Sequence, residues 1–293
     1  MSLETITVCP LCQGNSFQPF LVCKDFTTSG ELFHVKQCIV CNLVFTNPRP
    51  TETDAAMYYK SDSYISHTSA ASGFLDYIYL IIRHFTLGWK YRIIKSYLKS
   101  DLLLDVGCGT GQFINYCASH NVNAHGVEPS AEAREAAKTD LVVESMDKLP
   151  NIKFDVITLW HVLEHIYDLP TTISQLKNKL TENGTIFIAV PNYESFDANH
   201  YKELWAAYDV PRHVWHFSKK TMEMLVEKHG FHIKRIIPMK LDSYYVSLLS
   251  EKNSSKGKLT LSNTFTALRI GLRSNLKAKS ELNHSSLIYQ IQK

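Results

Sequence analysis

A chain of 293 residues with 45% apolar and 20% charged side chains has room for one large domain plus a small one, and reads as an ordinary soluble protein. Its net charge of +3 is too small to argue for a nucleic-acid partner, and no arginine-rich stripe is present. The opening Met-Ser-Leu-Glu-Thr lacks the basic-then-apolar pattern of a signal peptide, and the longest apolar run, Tyr77-Ile-Tyr-Leu-Ile-Ile82, is far too short to span a bilayer.

Residues 1–50 form the first expected unit. Cys9-Pro-Leu-Cys12 and Cys38-Ile-Val-Cys41 are two C-x-x-C knuckles separated by 25 residues, a length that suits a β-hairpin. Four thiolates so paired can surround a tetrahedral Zn²⁺, which would supply folding energy to a segment too small for its own core and leave no open position for chemistry. Gly14 and Asn42 follow the knuckles where a tight turn tolerates positive φ, and Cys23 lies between them without a partner. Seven cysteines used this way fit a reducing compartment, so the cytoplasm is the expected location.

Asn47-Pro-Arg-Pro50 makes a stiff exit into a helical linker or lid, 51–100. A short helix and then a loop, carrying Tyr58, Tyr59 and Tyr64, is expected over 51–68. One or two amphipathic helices follow over 74–99, with Arg83, Lys90, Arg92, Lys95 and Lys99 read as a solvated basic face. Contact of that face with a membrane surface is the sharper alternative.

From 101 the pattern becomes alternating strand and helix: strands at 102–106, 124–128, 154–160 and 185–190, helices at 111–120, 131–138 and 171–180. Such alternation predicts a parallel sheet with helices on both faces and a ligand at the carboxyl ends of the strands. A helix from Thr221 to His229, a strand over 231–238 and a last strand over 286–292 complete the chain. Residues 239–285 read as a lysine-rich insertion between those two strands, with a helix near 262–272 and a mobile loop at 252–258. The organising stretch is Leu102-Leu-Leu-Asp-Val-Gly-Cys-Gly-Thr-Gly-Gln-Phe113, a buried strand, a glycine turn and a helix start. Its spacing is G-x-G-x-G with Gln112 where a dinucleotide fingerprint needs glycine, which points away from nicotinamide or flavin dinucleotides. Glu128 ends the next strand 17 positions after Gly111, where an acid accepts hydrogen bonds from ribose hydroxyls.

The pieces DVGCGTG, HGVEPS, FDVITLWHVLEHI, GTIFI, VPN and PRHVWHF resemble class I S-adenosylmethionine (SAM)-dependent methyltransferases, most nearly the branch of the ubiquinone-biosynthesis O-methyltransferases. They cover about half the chain, roughly 90–240, in the family's order. The resemblance implies a Rossmann-like seven-stranded sheet over 101–293, preceded by a zinc-ribbon-like β unit, and an enzyme. It places Asp105, Gly107, Cys108, Gly109 and Gly111 on the methionine end of SAM, and Glu128 on the ribose with Pro129 beside it. Ser145 and Met146 would lie near the adenine, although the family's usual Asp is absent at Ser145, and Trp160 would line the pocket.

In those relatives Glu-x-x-Glu-His is associated with a divalent metal; here Glu164 and His165 match and His161 replaces the first acid. The substitution suits Zn²⁺ better than Mg²⁺, and three readings stay open: a general base at His161 or His165, a structural hydrogen-bonded pair, or a metal site. His213, in Pro211-Arg-His-Val-Trp-His216, is the first choice for substrate-side catalysis, sharing one face of a helical turn with His216. Tyr201, Trp205 and Tyr208 read as core or lid packing ahead of acceptor contact. The expected activity is methyl transfer to a small-molecule, sugar- or lipid-linked acceptor, at oxygen ahead of carbon. The alternatives are a protein or RNA methyltransferase that uses the zinc unit for recognition, and a non-catalytic SAM-binding module.

Overall fold

A computed structural model describes residues 2–59, 85–255 and 257–293. Tyr64 and the expected helix and loop positions between 60 and 84 lie outside the described residues.

The N-terminal unit contains β1 (Leu3–Glu4), β2 (Phe17–Lys24), β3 (Leu32–Cys38), β4 (Val44–Thr46) and β5 (Arg49–Pro50). Strands β2 and β3 make the antiparallel hairpin between the knuckles, and Phe33 and Val35 of β3 alternate inward as a half-buried strand demands. Asp25 holds the hairpin tip by accepting bonds from the backbone N–H groups of Thr27, Thr28 and Ser29. The positive φ after the first knuckle falls on Gln13, at 63°, instead of Gly14; after the second it falls on Asn42, at 64°. Cys23 is buried. A short helix at Glu52–Ala55 runs into a 3₁₀ turn at Ala56–Tyr59.

Helix α1 (85–94) leads into the core, which alternates β6 (Leu102–Val106), α2 (Gln112–Ala118), β7 (Asn123–Val127), α3 (Ala131–Ala137), β8 (Val142–Val143), β9 (Phe154–Trp160), α4 (Leu169–Lys179) and β10 (Leu180–Pro191). Then come α5 (Phe196–Tyr201), β11 (Trp215–His216), α6 (Lys219–Lys228), β12 (His232–Pro238), α7 (Asp242–Ser254), α8 (Leu261–Lys277) and β13 (Ser286–Gln292). Seven strands form one sheet in the order β12-β13-β10-β9-β6-β7-β8. The five from β8 to β10 are parallel, while β13 runs antiparallel to both β10 and β12. This is the Rossmann-like class I methyltransferase sheet. The chain runs outward from β6 to β8 and returns to β9 on the other side of β6, so a crevice opens at the carboxyl ends of β6 and β9.

Three expectations need correction. Strand β10 starts at Leu180, with Leu180 paired to Phe154 and a register shift absorbing 181–184. Residues 252–254 are not loop; they finish α7. His213 and His216 do not share a helical turn, because Trp215 and His216 pair with Phe45 and Val44 as an edge strand. That strand, β11, extends the N-terminal sheet to the order β11-β4-β3-β2 and fuses the two units. Consistently, Cys9, Cys38, Leu43 and Phe45 share one apolar cluster with Leu104, Ile157 and Ile188 of the large sheet.

Candidate functional site

Strand β6 delivers Asp105 to the crevice floor, where its Oδ1 accepts a 2.6 Å bond from the Thr158 hydroxyl on β9. Burial pushes the Asp105 carboxyl up to about 6; the Thr158 bond and the Lys90 ammonium act in the opposite direction. Beyond it the chain turns through Gly107, Cys108, Gly109 and Gly111. A Cβ at Gly107 would come within 2.5 Å of Val162, so only glycine fits against the β9 loop. At Gly109, with φ +54°, a Cβ would meet nothing within 4 Å: the bare backbone there faces open space.

Glu128, one residue past β7, is tied to this turn. Its Oε2 accepts from the Gly109 N–H and its Oε1 from the Ser130 N–H, both at 2.9 Å. Each carboxylate oxygen keeps a lone pair for a further donor. Arg134 donates to the carbonyls of Glu128 and Pro129 and fixes the loop from below. Met146 is buried at the start of a 3₁₀ turn after Ser145. Trp160 packs edge-on against Phe113, and its indole Nε1, itself buried, has no partner among the described residues. Lys90 of α1 points its Nζ over the Trp160 ring, 4.6 Å from the centroid, and burial pulls that ammonium below its usual range. The sequence reading had left Lys90 on a solvated face; the helical period marks a face but not which neighbour covers it.

A second cluster stands at the tip of β9. His161, with φ +57°, sits between two carboxylates: Nδ1 lies 3.2 Å from Glu164 Oε1 and Nε2 3.1 Å from Asp242 Oδ2. Burial alone would lower this imidazole, but the two carboxylates outweigh it and raise it to about 10. The two carboxylates favour the protonated imidazole, and the contacts are those of a hydrogen-bonded bridge between Glu164 and Asp242. Asp242, at the start of α7, carried no sequence signal.

Glu164 is 1% exposed; burial opposes its charge, yet His161 holds it ionised, and its Oε2 has no partner among the described residues. His165 Nδ1 lies 3.0 Å from both the Arg212 carbonyl and the Tyr59 hydroxyl, and His213 Nδ1 lies 2.9 Å from the Ala207 carbonyl. A carbonyl only accepts, so each Nδ1 carries a proton, and in a neutral ring Nε2 then offers a lone pair. The two rings meet edge to face with centroids 4.6 Å apart. Burial, then the neighbouring His165, drives His213 well below its ordinary value, so it is neutral. The ligand atoms of Glu164, His165 and His213 all lie within 4.8 Å of one another. Two imidazoles beside a carboxylate can accept a proton or hold a divalent ion. Trp205 and Tyr208 are buried in a separate cluster, and Tyr201 donates to Glu251, so these three aromatics serve packing.

The sulfurs of Cys9, Cys12, Cys38 and Cys41 form the other group within 4.8 Å, with Cys9–Cys41 and Cys12–Cys38 at 3.5 Å. Zn–S bonds of about 2.3 Å would set tetrahedral S–S edges near ~3.8 Å, whereas a disulfide needs about 2.05 Å. None of the four is in a disulfide.

With this geometry in view, the similarities become specific. Residues 92–235 match the family model described as a methyltransferase domain. The chain carries a methyltransferase domain. It is similar to a ubiquinone biosynthesis O-methyltransferase of Pelagibacter ubique, 32% identical over 114 residues, covering 36% of this chain and 48% of that one. An uncharacterized methyltransferase of Anoxybacillus flavithermus is 28% identical over 148 residues, or 45% of this chain and 69% of that protein. Of relatives in Haemophilus influenzae, P. ubique and Dictyostelium discoideum, the chain spans 42%, 48% and 40% of the length. The fold of the methyltransferase domain is shared with magnesium protoporphyrin IX methyltransferase from Synechocystis with bound SAH, at 12% identity and a TM-score of 0.52, over 83% of this chain and all of that one.

Proposed function

We propose that this protein moves the methyl group of SAM to an oxygen of a small-molecule, sugar- or lipid-linked acceptor. The observation that carries the reading is the turn at Gly109: open bare backbone, tied to Glu128 and flanked by Asp105, with the unpartnered Trp160 indole on the same crevice. These residues fit the cofactor, since a carboxylate with free lone pairs takes ribose hydroxyls and a buried N–H requires an acceptor. When bound, SAM supplies a methyl already activated on a sulfonium, so the protein's task is alignment, exclusion of water and removal of the acceptor proton.

That proton goes to the Nε2 of His165 or His213, while Glu164 stabilises the imidazolium that forms. Nearby, His161 and Asp242 hold Glu164 in place. Cys9, Cys12, Cys38 and Cys41 are proposed as a structural Zn²⁺ site, supported by the spacing of their sulfurs. Calorimetric titration with SAM tests the reading: micromolar binding that Glu128→Ala weakens is expected, and a protein indifferent to SAM would overturn it.

A further inference from the structure

Helix α8 has two apolar faces. Ala267, Ile270, Gly271 and Ser274 are buried, and the approach to α7 is so close that a Cβ at Gly271 would lie 2.9 Å from the Tyr244 Cα. The helix is also pinned: Ser274 donates to Asp197, and Asn275 to the Lys240 carbonyl. On the opposite side Leu261, Phe265, Leu268, Leu272 and Leu276 are 92%, 71%, 52%, 50% and 51% exposed. Steps of four, three, four and four residues keep these five on one stripe, ~22 Å long at 1.5 Å per residue. An anchored helix that still presents such a stripe lacks an apolar partner for it among the described residues.

Charge identifies that partner. Arg269, Arg273 and Lys277 recur at four-residue steps along one flank of the stripe and are exposed; Lys277 also sits over the Phe196 ring. Between Glu251 and Glu281 the sequence has seven cations (Lys252, Lys256, Lys258, Arg269, Arg273, Lys277 and Lys279) and no acid. A second copy docked on this stripe would find no carboxylate in the segment to receive the arginines. An anionic bilayer satisfies both features, taking the Leu/Phe stripe into the boundary between headgroups and acyl chains and the cations among its phosphates. We infer that α8 lies in the plane of an anionic membrane surface as the protein's docking element. The inference concerns where the protein works and does not depend on the cofactor reading.

Co-sedimentation tests it, with phosphatidylcholine vesicles containing phosphatidylglycerol compared with phosphatidylcholine alone. The 293-residue chain should bind the anionic vesicles and be released by salt. Arg269→Gln with Arg273→Gln should weaken binding on the order of 30-fold, and Phe265→Asp with Leu272→Asp should abolish it. All four positions are exposed, so melting temperature and SAM affinity should stay at wild-type values, which separates lost docking from lost folding. Absence of binding to anionic vesicles, or binding that survives the Phe265/Leu272 pair, overturns the inference. So does a solution dimer, seen by light scattering, that this pair dissociates, because the stripe would then belong to a second copy.

Discussion

Asp105 makes a sharp test because its environment favours function over stability. The side chain is 3% exposed, and burial raises its carboxyl to about 6, against about 3.9 in an unfolded chain. A folded-state value above the unfolded one means the native protein holds the proton more tightly. That contribution is complete below pH ~4, is lost as pH rises through ~6, and is absent above it. A difference of about two pH units corresponds to about 3 kcal/mol. Asp105→Asn keeps an acceptor for the Thr158 hydroxyl and removes the ionisation. At pH 7.5 the variant should therefore be more stable than wild type by roughly 2–3 kcal/mol, and at pH 4 nearly equal to it. Urea unfolding followed by tryptophan fluorescence at both pH values reads this directly, and comparing the two proteins cancels the titrating groups that do not interact with Asp105. The same variant should bind SAM more weakly. Equal stabilities at both pH values, or an asparagine variant less stable throughout, would refute the account of Asp105 as a buried, costly carboxylate.

Other outcomes can be checked alongside. Glu128→Ala removes an acceptor that ribose hydroxyls would use, so SAM affinity should fall by about 10- to 100-fold in calorimetry; unchanged affinity would remove the ribose assignment. His165→Asn and His213→Asn should each lower kcat by roughly 10²- to 10⁴-fold with SAM affinity retained, and full activity in both would exclude them as proton acceptors. Cys9→Ser, or treatment with a chelator, should release one zinc per chain by elemental analysis and lower the melting temperature; a protein isolated metal-free and equally stable would end the zinc reading.

How much of this was legible in the sequence depends on how local each signal is. Strands β6, β9 and β13 fall on the expected residues because each is an apolar run bounded by turn or charged residues. The glycine turn and Glu128 were readable because their spacing in the chain is fixed by the strand–turn–helix unit. Helix α7 was missed for a physical reason: its buried face includes Ser243, Ser247 and Ser250, so no apolar period marks it. Strand β11 is two residues long, too short for an alternating pattern, and its partners Val44 and Phe45 lie at the other end of the sequence. Asp242 meets His161 across 81 positions and Tyr59 meets His165 across 106. No window of sequence contains either pair.

Other long-range pairings tie the cysteine unit to the residues proposed as proton acceptors. Backbone N–H groups of Thr46 and Val214 donate to the carbonyls of Val214 and Glu164, and the Thr46 hydroxyl donates to the His213 carbonyl. Strand β4 thereby holds His213 and Glu164 in one ladder, and β4 is secured through β3, which ends at Cys38. The SAM side of the crevice, Asp105 to Gly111 with Glu128, rests on β6 and β7 and has no strand pairing with the cysteine unit. Loosening the four sulfurs should therefore disturb the imidazole pair before it disturbs the glycine turn. Metal loss would then appear as a fall in kcat at near-constant SAM affinity, whereas a cysteine unit that served only global stability would lose both together.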